Sequence, residues 1–375
     1  MEIFTHARHL HKYFMFKFNE LKEVHLEITN NCQASCPMCA RNRNGGLDNP
    51  LIKLTDWTLD EFKTIMPARV LAQLTGFFFC GNFGDPILNK DLLEMCRYST
   101  ATNPNLNIRI HTNGSAKSTA WWTELVSVLP KTHCVVFALD GLQDTHHLYR
   151  IGTSFDNIIK NATAFIKAGG KAEWCFIKFK HNEHQVDEAK QMAKDLGFDA
   201  FVVKNSSRFL LEPKTDVLDK NGLLTHIIEP STETPLKFLD KKAIESYKEI
   251  VSASVIDCQA CNQKEIYIDA YRNVFPCCWL ASLPYTYIDE NAAFGVRNEM
   301  LNQYYDLVKS LGGINKLNAV NNTIESIIDS NEYQTVWSTY WNEKKLITCA
   351  RMCGRAEIND YAKSRDQQQE VIFYE

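Results

Sequence analysis

Six apolar runs alternate with helix-like segments over the first 210 residues, and this alternation constrains the fold more than any other feature of the chain. Strands that alternate with helices pair in parallel through right-handed crossover connections. The sequence therefore predicts an α/β domain. Its predicted strands are residues 23–28, 76–79, 108–112, 135–139, 174–179 and 200–203, and its predicted helices are residues 58–66, 91–98, 119–129, 155–168 and 185–196.

The length of this region limits how the sheet can close. Residues 20–210 are too few for a closed eight-stranded barrel, and periodicity alone leaves an open twisted sheet and a partial barrel as alternatives. In either arrangement the carboxyl ends of the strands form the edge where an active site is expected. Two local signals mark helix ends. Thr58 and Glu61 predict a capping box at the start of the helix at 58–66, and Gly197 predicts the end of the helix at 185–196.

Three cysteines, Cys32, Cys36 and Cys39, follow the first predicted strand within one short stretch. Iron–sulfur clusters are held by cysteine thiolates, and three ligands would leave the fourth iron of a cubane open to another molecule. The spacing also fits one face of a helix, but Pro37 and two preceding asparagines favour a loop. A zinc site is the other alternative, although zinc sites more usually show paired Cys-x2-Cys motifs.

The Cys-x3-Cys-x2-Cys spacing after a first strand resembles the signature of the radical S-adenosylmethionine (radical SAM) superfamily, with Met38 where the family often has an aromatic residue. The resemblance implies a partial six-unit (βα)6 TIM-like barrel whose [4Fe-4S] cluster chelates the amino and carboxylate groups of S-adenosylmethionine. It further implies that one electron cleaves the sulfonium to give a 5′-deoxyadenosyl radical, which abstracts a substrate hydrogen.

Two turns that follow predicted strands resemble further family segments. Gly84 and Asp85 lie in a turn similar to the family's Gly-Glu-Pro segment, with the shorter Asp in place of Glu, and Thr112 and Asn113 lie in a turn similar to its Thr-Asn-Gly turn. The resemblance implies that these four residues help to bind the cofactor. Without the resemblance, an Asp–Pro dipeptide indicates only an ordinary turn.

A third turn, at Asp140, is followed by His146, His147 and Arg150. It is similar to the Ser-x-Asp-Gly…His…Arg pattern of peptide- and cofactor-modifying members, which implies a cofactor contact for Asp140. The two histidines and His111 could handle protons, but surface or capping positions are expected for each.

Four basic residues lie near the ends of the last two predicted strands. Lys178, Lys180, Lys204 and Arg208 could meet the methionine carboxylate or an acidic substrate, although solvated positions are expected for at least two of them. His146, Lys178 and Cys278 are the candidates for catalytic groups, and the sequence assigns none of them.

A second group of cysteines lies near the C-terminus and comprises Cys258, Cys261, Cys277, Cys349 and Cys353. Predicted strands at residues 266–269 and 273–275 form a hairpin that brings Cys258 or Cys261 near Cys277. Any four of the five cysteines can complete a cluster, and Cys278 is an alternative ligand or a core residue.

This region resembles the twitch and SPASM extensions of radical SAM enzymes, and it has too few cysteines for two clusters. The resemblance therefore implies one auxiliary [4Fe-4S] cluster of the twitch type. Asn273 stands where the family has glycine, and asparagine tolerates the positive φ that such a turn requires.

The predicted organisation has four parts: an extension at residues 1–20, the core at 21–210, a connector at 211–250 with a helix at 240–251, and a small α+β cluster domain at 251–375. The cluster domain has an insert at residues 280–347, with predicted helices at 304–311, 324–328 and 333–341 that could cover the barrel mouth. Residues 367–375 show no motif. Because residues 1–20 are too short for a leader-binding domain, a small-molecule substrate is favoured over a ribosomal peptide or protein, which remains the alternative.

Composition narrows the remaining function classes. The formal net charge is −4, the chain has no long apolar run, and its N-terminus lacks secretory-signal order, so we expect a cytoplasmic protein without membrane or nucleic-acid partners. Nine of the 13 cysteines fall in the two groups when Cys278 is counted with the second, a distribution that favours metal ligation over disulfides. The other four are expected in the core.

The resemblance implies an enzyme that oxidises its substrate with help from the auxiliary cluster and takes electrons from a donor such as flavodoxin or ferredoxin. The non-enzyme alternative is a zinc-stabilised binding protein.

Overall fold

The structure is a computed structural model that describes residues 15–206, 208–209, 214–233, 251–285, 295–343, 345–354 and 369–374. Its strands are Glu23–Leu26 (β1), Asn42–Arg43 (β2), Leu47–Asp48 (β3), Gly76–Phe79 (β4), Asn107–Thr112 (β5), His133–Ala138 (β6), Ala172–Lys178 (β7), Ala200–Asn205 (β8), Thr215–Leu218 (β9), Leu224–Ile228 (β10), Glu265–Ile268 (β11), Val274–Phe275 (β12) and Gln369–Phe373 (β13).

The α-helices are Leu59–Ile65, Ala68–Gln73, Leu92–Thr102, Thr119–Val128, His146–Tyr149, Phe155–Lys167, Val186–Leu196, Gln259–Gln263, Cys278–Ala281, Gly295–Ser310, Ile314–Leu317, Ile324–Ile328, Asn331–Ser338 and Ile347–Cys353. Short 3-10 helices cover Phe18–Glu20, Pro86–Leu88, Glu183–Gln185 and Leu283–Tyr285, and a π-helical turn covers Thr339–Glu343. None of the described helices is both long and apolar enough to cross a membrane.

Within the described ranges, nine strands form the largest sheet, in the order β12-β11-β1-β4-β5-β6-β7-β8-β13. Its six central strands follow one another in sequence order, and every adjacent pair of them is parallel. A doubly wound sheet reverses its strand order at a switch point, whereas crossovers that advance in one direction keep the helices on one face. The α/β prediction is confirmed, and the order is that of a barrel wall.

The two faces of this wall differ in chemistry because side chains alternate along each strand. On the helix side, Val24, Phe77 and Phe79 are buried in the main core, where both phenylalanines pack near the ring of Phe62. The opposite face mixes charged and apolar side chains. There Arg109 on β5 and Glu173 on β7 form an ion pair with an N···O distance of 2.8 Å.

The local signals for helix ends are confirmed. The Thr58 hydroxyl accepts from the amide of Glu61 at 3.2 Å, and the Glu61 carboxylate accepts from the amide of Thr58 at 2.8 Å, which is the predicted capping box. The helix Val186–Leu196 ends at Gly197 with φ of +85°.

The predicted hairpin near the second cysteine group is confirmed as β11 and β12, and β11 lies in parallel beside β1. The residue with positive φ is Arg272, at +71°, rather than Asn273. Asn273 is held by the Asp269 carboxylate, which accepts from its amide at 2.7 Å and from its side-chain Nδ2 at 3.1 Å. The Arg272 guanidinium donates to Thr55 and to the carbonyl of Asp56, both at 2.7 Å, and these bonds offset the backbone strain.

Some elements were not anticipated from the sequence. The antiparallel pair β9–β10 lies within the predicted connector, and β13, in the segment without a motif, pairs antiparallel with β8. The predicted helix at 240–251 falls almost wholly on residues outside those described. In the insert, the three predicted helices correspond to Gly295–Ser310, Ile324–Ile328 and Asn331–Ser338.

Candidate active site

The first cysteine stretch, residues 32–39, forms a loop after β1, as predicted, and not a helix. The amide of Cys39 donates to the carbonyl of Cys36 at 3.0 Å, which closes a tight turn. Cys36 is buried, and Cys32 and Cys39 are half-buried. Burial raises the pKa of the Cys32 thiol to about 12, and the charges of Asp85, Cys36 and Cys39 add to the rise. The three thiols therefore lie within electrostatic reach of each other.

Two side-chain donors contact these thiols. Nδ2 of Asn113 lies 3.7 Å from Sγ of Cys32, and Nη1 of Arg150 lies 3.8 Å from Sγ of Cys36. Burial raises the pKa of the Cys36 thiol, and the Arg150 guanidinium opposes that rise. Metal ligands must be thiolates, so the donor set of this loop, three thiols with a cation and an amide against them, fits an iron–sulfur cluster.

Asp140 holds Arg150 in place. Its Oδ2 accepts from Nε of Arg150 at 2.6 Å, and its Oδ1 accepts from the amide of Ile177 at 2.6 Å. The Asp140 side chain is fully buried. Both carboxylate oxygens therefore already bind protein donors, and the residue acts on the cysteine loop through Arg150.

Two further guanidiniums bind the carbonyls of the cysteine loop. Nη2 of Arg41 donates to the carbonyl of Cys32 at 2.6 Å, and Nη1 of Arg208 donates to the carbonyl of Met38. Arg208, which the sequence offered as a carboxylate ligand, thus contacts the loop backbone. These bonds hold the backbone of the loop at Cys32 and at Met38.

The turn that contains Gly84 and Asp85 packs directly against the base of the cysteine loop. A Cβ on Gly84 would lie 2.0 Å from the carbonyl oxygen of Thr29, so only glycine fits there. The Asp85 carboxylate is buried, and it accepts from the Thr112 hydroxyl at 3.0 Å and from the Asn113 amide at 2.7 Å. Four of the predicted cofactor residues, Gly84, Asp85, Thr112 and Asn113, are thereby brought together beside Cys32.

The other candidates lie in varied surroundings. Lys178 pairs with Glu233, and Lys180 pairs with Glu229 at 2.9 Å. The expectation of a surface position is wrong for His146, which is buried and contacts the Thr153 hydroxyl at 2.9 Å. Burial lowers the pKa of His146 to about 3, so its imidazole is neutral near pH 7.

The other two candidate histidines, His111 and His147, lie in different surroundings. His147 is exposed, as expected. His111 lies on the same face of the sheet as Arg109, where burial lowers its pKa to about 3. Neither His111 nor His146 is therefore poised to exchange a proton near neutral pH.

The second cysteine group surrounds a cavity of about 190 Å³. A water molecule occupies about 30 Å³ of liquid, so the cavity has room for a group of several atoms. Its cysteines are Cys258, Cys277, Cys278, Cys349 and Cys353.

Cys258 and Cys353 lie within hydrogen-bond reach of each other, and their contact contributes more than burial to the raised pKa of Cys258. Cys261 does not line this cavity. Burial raises the pKa of Cys261, and Lys264 and the backbone of Phe16 oppose the rise. Four of the five predicted ligands therefore line one cavity together with Cys278, and they are Cys258, Cys277, Cys349 and Cys353.

Among the described residues, no three His, Cys, Asp or Glu side chains converge closely enough to hold a single metal ion. The thiolates of a cubane cluster bind separate iron atoms, so cluster ligands need not converge on one point.

Comparison with known proteins matches no family model and no curated protein, whereas solved structures do match. The S-adenosylmethionine-bound structure of His6-tagged anSMEcpe has a TM-score of 0.50 at 15% identity and covers 92% of each chain. BtrN, in complex with S-adenosylmethionine and 2-DOIA, has a TM-score of 0.44 at 13% identity and covers 94% of this chain and 98% of its own. SuiB of Streptococcus suis, bound to S-adenosylmethionine, has a TM-score of 0.43 at 15% identity, and the match spans 74% of this chain and only 65% of SuiB.

anSMEcpe is a radical SAM enzyme, and its match extends over nearly the full length of both chains. The chain has the radical SAM fold. With this fold, the cysteine loop, the Gly84 turn and the Asp140–Arg150 pair meet at the carboxyl ends of neighbouring parallel strands, the edge at which barrel enzymes bind their ligands.

Sequence reasoning missed one buried carboxyl group at this edge of the radical SAM fold. Glu27, just after β1, is 2% exposed and accepts hydrogen bonds from the Tyr267 hydroxyl, from the amide of Phe83 at 2.8 Å and from the amide of Gly84 at 3.2 Å. Its signal in the sequence was a charged residue within an apolar strand segment. Burial raises the pKa of Glu27 to about 7, although these three donors lower it.

This shift predicts a pH dependence of stability. Because the folded pKa of Glu27 lies above its ordinary value of 4.5, the folded state binds more protons between these values. The free energy of unfolding should therefore fall as pH rises from about 4.5 through about 7, by about 3 kcal/mol for this group.

Urea unfolding at pH 5 and pH 8 measures the effect in the wild type and in Glu27→Gln. In Glu27→Gln, most of the pH dependence that Glu27 gives to the free energy of unfolding should disappear. The pH dependence that comes from Asp269, whose pKa burial raises to about 6, should remain. An unchanged slope in Glu27→Gln would contradict the assignment.

Proposed function

We propose that the protein is a radical SAM enzyme that binds a [4Fe-4S] cluster through Cys32, Cys36 and Cys39 and cleaves S-adenosylmethionine. The observation that carries this proposal is the set of three thiols in one loop, with Arg150 and Asn113 within 4 Å of two of them. When bound, the reduced cluster and S-adenosylmethionine would supply a 5′-deoxyadenosyl radical that removes a hydrogen atom from the substrate.

The protein's own residues hold this site in shape. Arg150 places a positive charge against Cys36 and is itself held by the buried Asp140 carboxylate. Asp85 fixes Thr112 and Asn113. The backbone around Gly84, where a side chain would collide with Thr29, is free to approach the methionine end of the cofactor.

A second cluster at the other cysteine group is part of the proposal. Four of its predicted ligands, Cys258, Cys277, Cys349 and Cys353, line one cavity, and we assign them in preference to Cys261. Such a cluster would accept the second electron when a substrate radical is oxidised, with the proton released to solvent or a nearby base. The proposed reaction is therefore oxidation of a small molecule, with a flavodoxin- or ferredoxin-type protein as the electron donor.

The iron content tests both sites in one experiment. Anaerobically purified and reconstituted wild type should contain about eight irons per chain and should release 5′-deoxyadenosine from S-adenosylmethionine when chemically reduced. The double variant Cys349→Ser/Cys353→Ser should fall to about four irons and should keep cleavage at saturating S-adenosylmethionine, because the first loop is unchanged.

Cys261→Ser is the matched control and should keep about eight irons. Loss of a cluster in Cys261→Ser would move the ligand assignment to that residue. Zinc without iron in the wild type would instead favour a zinc-stabilised binding protein.

A further inference from the structure

A hydrogen-bonded junction, buried at Glu27 and Tyr267 and half-buried at Asn82, connects the two cysteine sites. The Tyr267 hydroxyl donates to Oε2 of Glu27 and accepts from Nδ2 of Asn82 at 3.2 Å. These residues come from three separate parts of the chain: the end of β1, the loop after β4 and the middle of β11. The hydroxyl group is their common contact.

One end of the junction reaches the first cysteine loop and the turn beside it. The Glu27 carboxyl accepts from the amides of Phe83 and Gly84, so it sets the backbone of that turn. The carbonyl oxygen of Asn82 lies 4.0 Å from Sγ of Cys39. A shift of Tyr267 would therefore change the turn that approaches the methionine end of the proposed cofactor.

The other end reaches the second cysteine group. Nδ2 of Asn82 also donates to the carbonyl of Cys278 at 3.1 Å, the residue next to Cys277. Tyr267 itself lies on β11, between the helix that follows Cys258 and the strand that precedes Cys277. Ligation of those cysteines would therefore restrain the strand on which the tyrosine sits.

Burial makes the junction sensitive to small displacements. Tyr267 is 0% exposed and Glu27 is 2% exposed, so water does not replace a lost contact at the surface. Removing one partner of a buried hydrogen bond leaves the other partner unsatisfied, which costs more than the bond contributed. A displacement at one end of the junction would therefore strain the contacts at the other end.

We propose that Tyr267 is a positioning residue through which occupancy of the second cysteine group sets the affinity of the first site for S-adenosylmethionine. The inference rests on the function proposed above. With the second group ligated, the tyrosine hydroxyl holds the Asn82–Gly84 backbone in its binding geometry. Without ligation of the second group, β11 relaxes and the Asn82–Gly84 turn loses the support of the tyrosine hydroxyl. Because coupling between binding sites is reciprocal, S-adenosylmethionine also favours the ligated second group.

The test measures the Kd of S-adenosylmethionine by anaerobic calorimetry in protein whose first-site iron has been quantified. In the wild-type background, Cys349→Ser/Cys353→Ser should weaken binding by about fivefold or more. In a Tyr267→Phe background, which keeps the ring but lacks the hydroxyl, the same two substitutions should weaken binding by less than about twofold. Tyr304→Phe is the matched control, and its ring packs on Phe275. In that background the two serine substitutions should weaken binding by the same factor as in the wild type.

A second measurement uses fully loaded protein and so does not depend on how well the serine variant folds. Adding S-adenosylmethionine should shift the midpoint potential or the electron paramagnetic resonance spectrum of the second cluster in the wild type and not in Tyr267→Phe. Equal responses in these two proteins, or no response in the wild type, would overturn the inference. A wild type that holds iron but does not bind S-adenosylmethionine would overturn the proposed function instead.

Discussion

Replacing Cys36 with alanine is expected to abolish cleavage of S-adenosylmethionine. Cys36 is the buried member of the three-thiol loop and the thiol nearest the Arg150 guanidinium. Without its thiolate the loop has two ligands and cannot hold a cubane with one open iron. The rate of 5′-deoxyadenosine release should fall by about a thousandfold or more, equivalent to about 4 kcal/mol of barrier, and iron should fall by about four per chain.

Cys96→Ala provides the matched control. Cys96 is also a buried cysteine, but it lies in the helix Leu92–Thr102 within the main core. Its replacement should cost about 1 kcal/mol of stability and should leave the iron content and cleavage unchanged. Retention of first-site iron and full cleavage in Cys36→Ala would refute the assignment of the loop.

The regular part of the fold was predictable because its signals are local. A buried strand such as Gly76–Phe79 shows an uninterrupted apolar run, and a helix such as Leu59–Ile65 shows its capping box within four residues. Pro37 indicated a loop at the cysteines because proline cannot continue a helix hydrogen-bond pattern. Each of these inferences needs only neighbouring residues.

The contacts that shape the site could not be predicted in the same way. Tyr267 meets Glu27 at a sequence separation of 240, and a hydroxyl in a strand carries no signal for its distant partner. The resemblance implies a cofactor contact for Asp85 and gives no sign that its carboxylate binds Thr112 and Asn113. Such pairings depend on strand order, which local patterns leave open.

The same limit explains the elements at the edges of the sheet. β11 lies beside β1 although more than 200 residues separate them, and β13 closes the opposite side against β8. For β11 the strand itself was predictable and its pairing with β1 was not, whereas β13 resembles any short apolar segment. The cysteine spacing predicts a second site but leaves its ligands open, whereas the fold shows that Cys261 does not line the cavity.

The second large effect is expected at Arg150. The Asp140–Arg150 pair is almost fully enclosed, with side-chain exposures of 0% for Asp140 and 17% for Arg150. Arg150→Met would leave the Asp140 carboxylate buried without its cation, while the methionine fills much of the space. Breaking a buried pair in this way should lower the free energy of unfolding by about 3–5 kcal/mol, measured by urea unfolding of the iron-free protein at pH 7.

The matched control is Lys180→Met, which breaks an ion pair with Glu229 whose side chains are 54% and 48% exposed. Because solvent screens that pair, the loss should be about 0–1 kcal/mol. Asp140→Asn combined with Arg150→Met should recover part of the stability, since it removes the uncompensated charge itself. A loss in Arg150→Met no larger than in Lys180→Met, or no recovery in the double variant, would show that the buried charge pair does not set the stability of this edge.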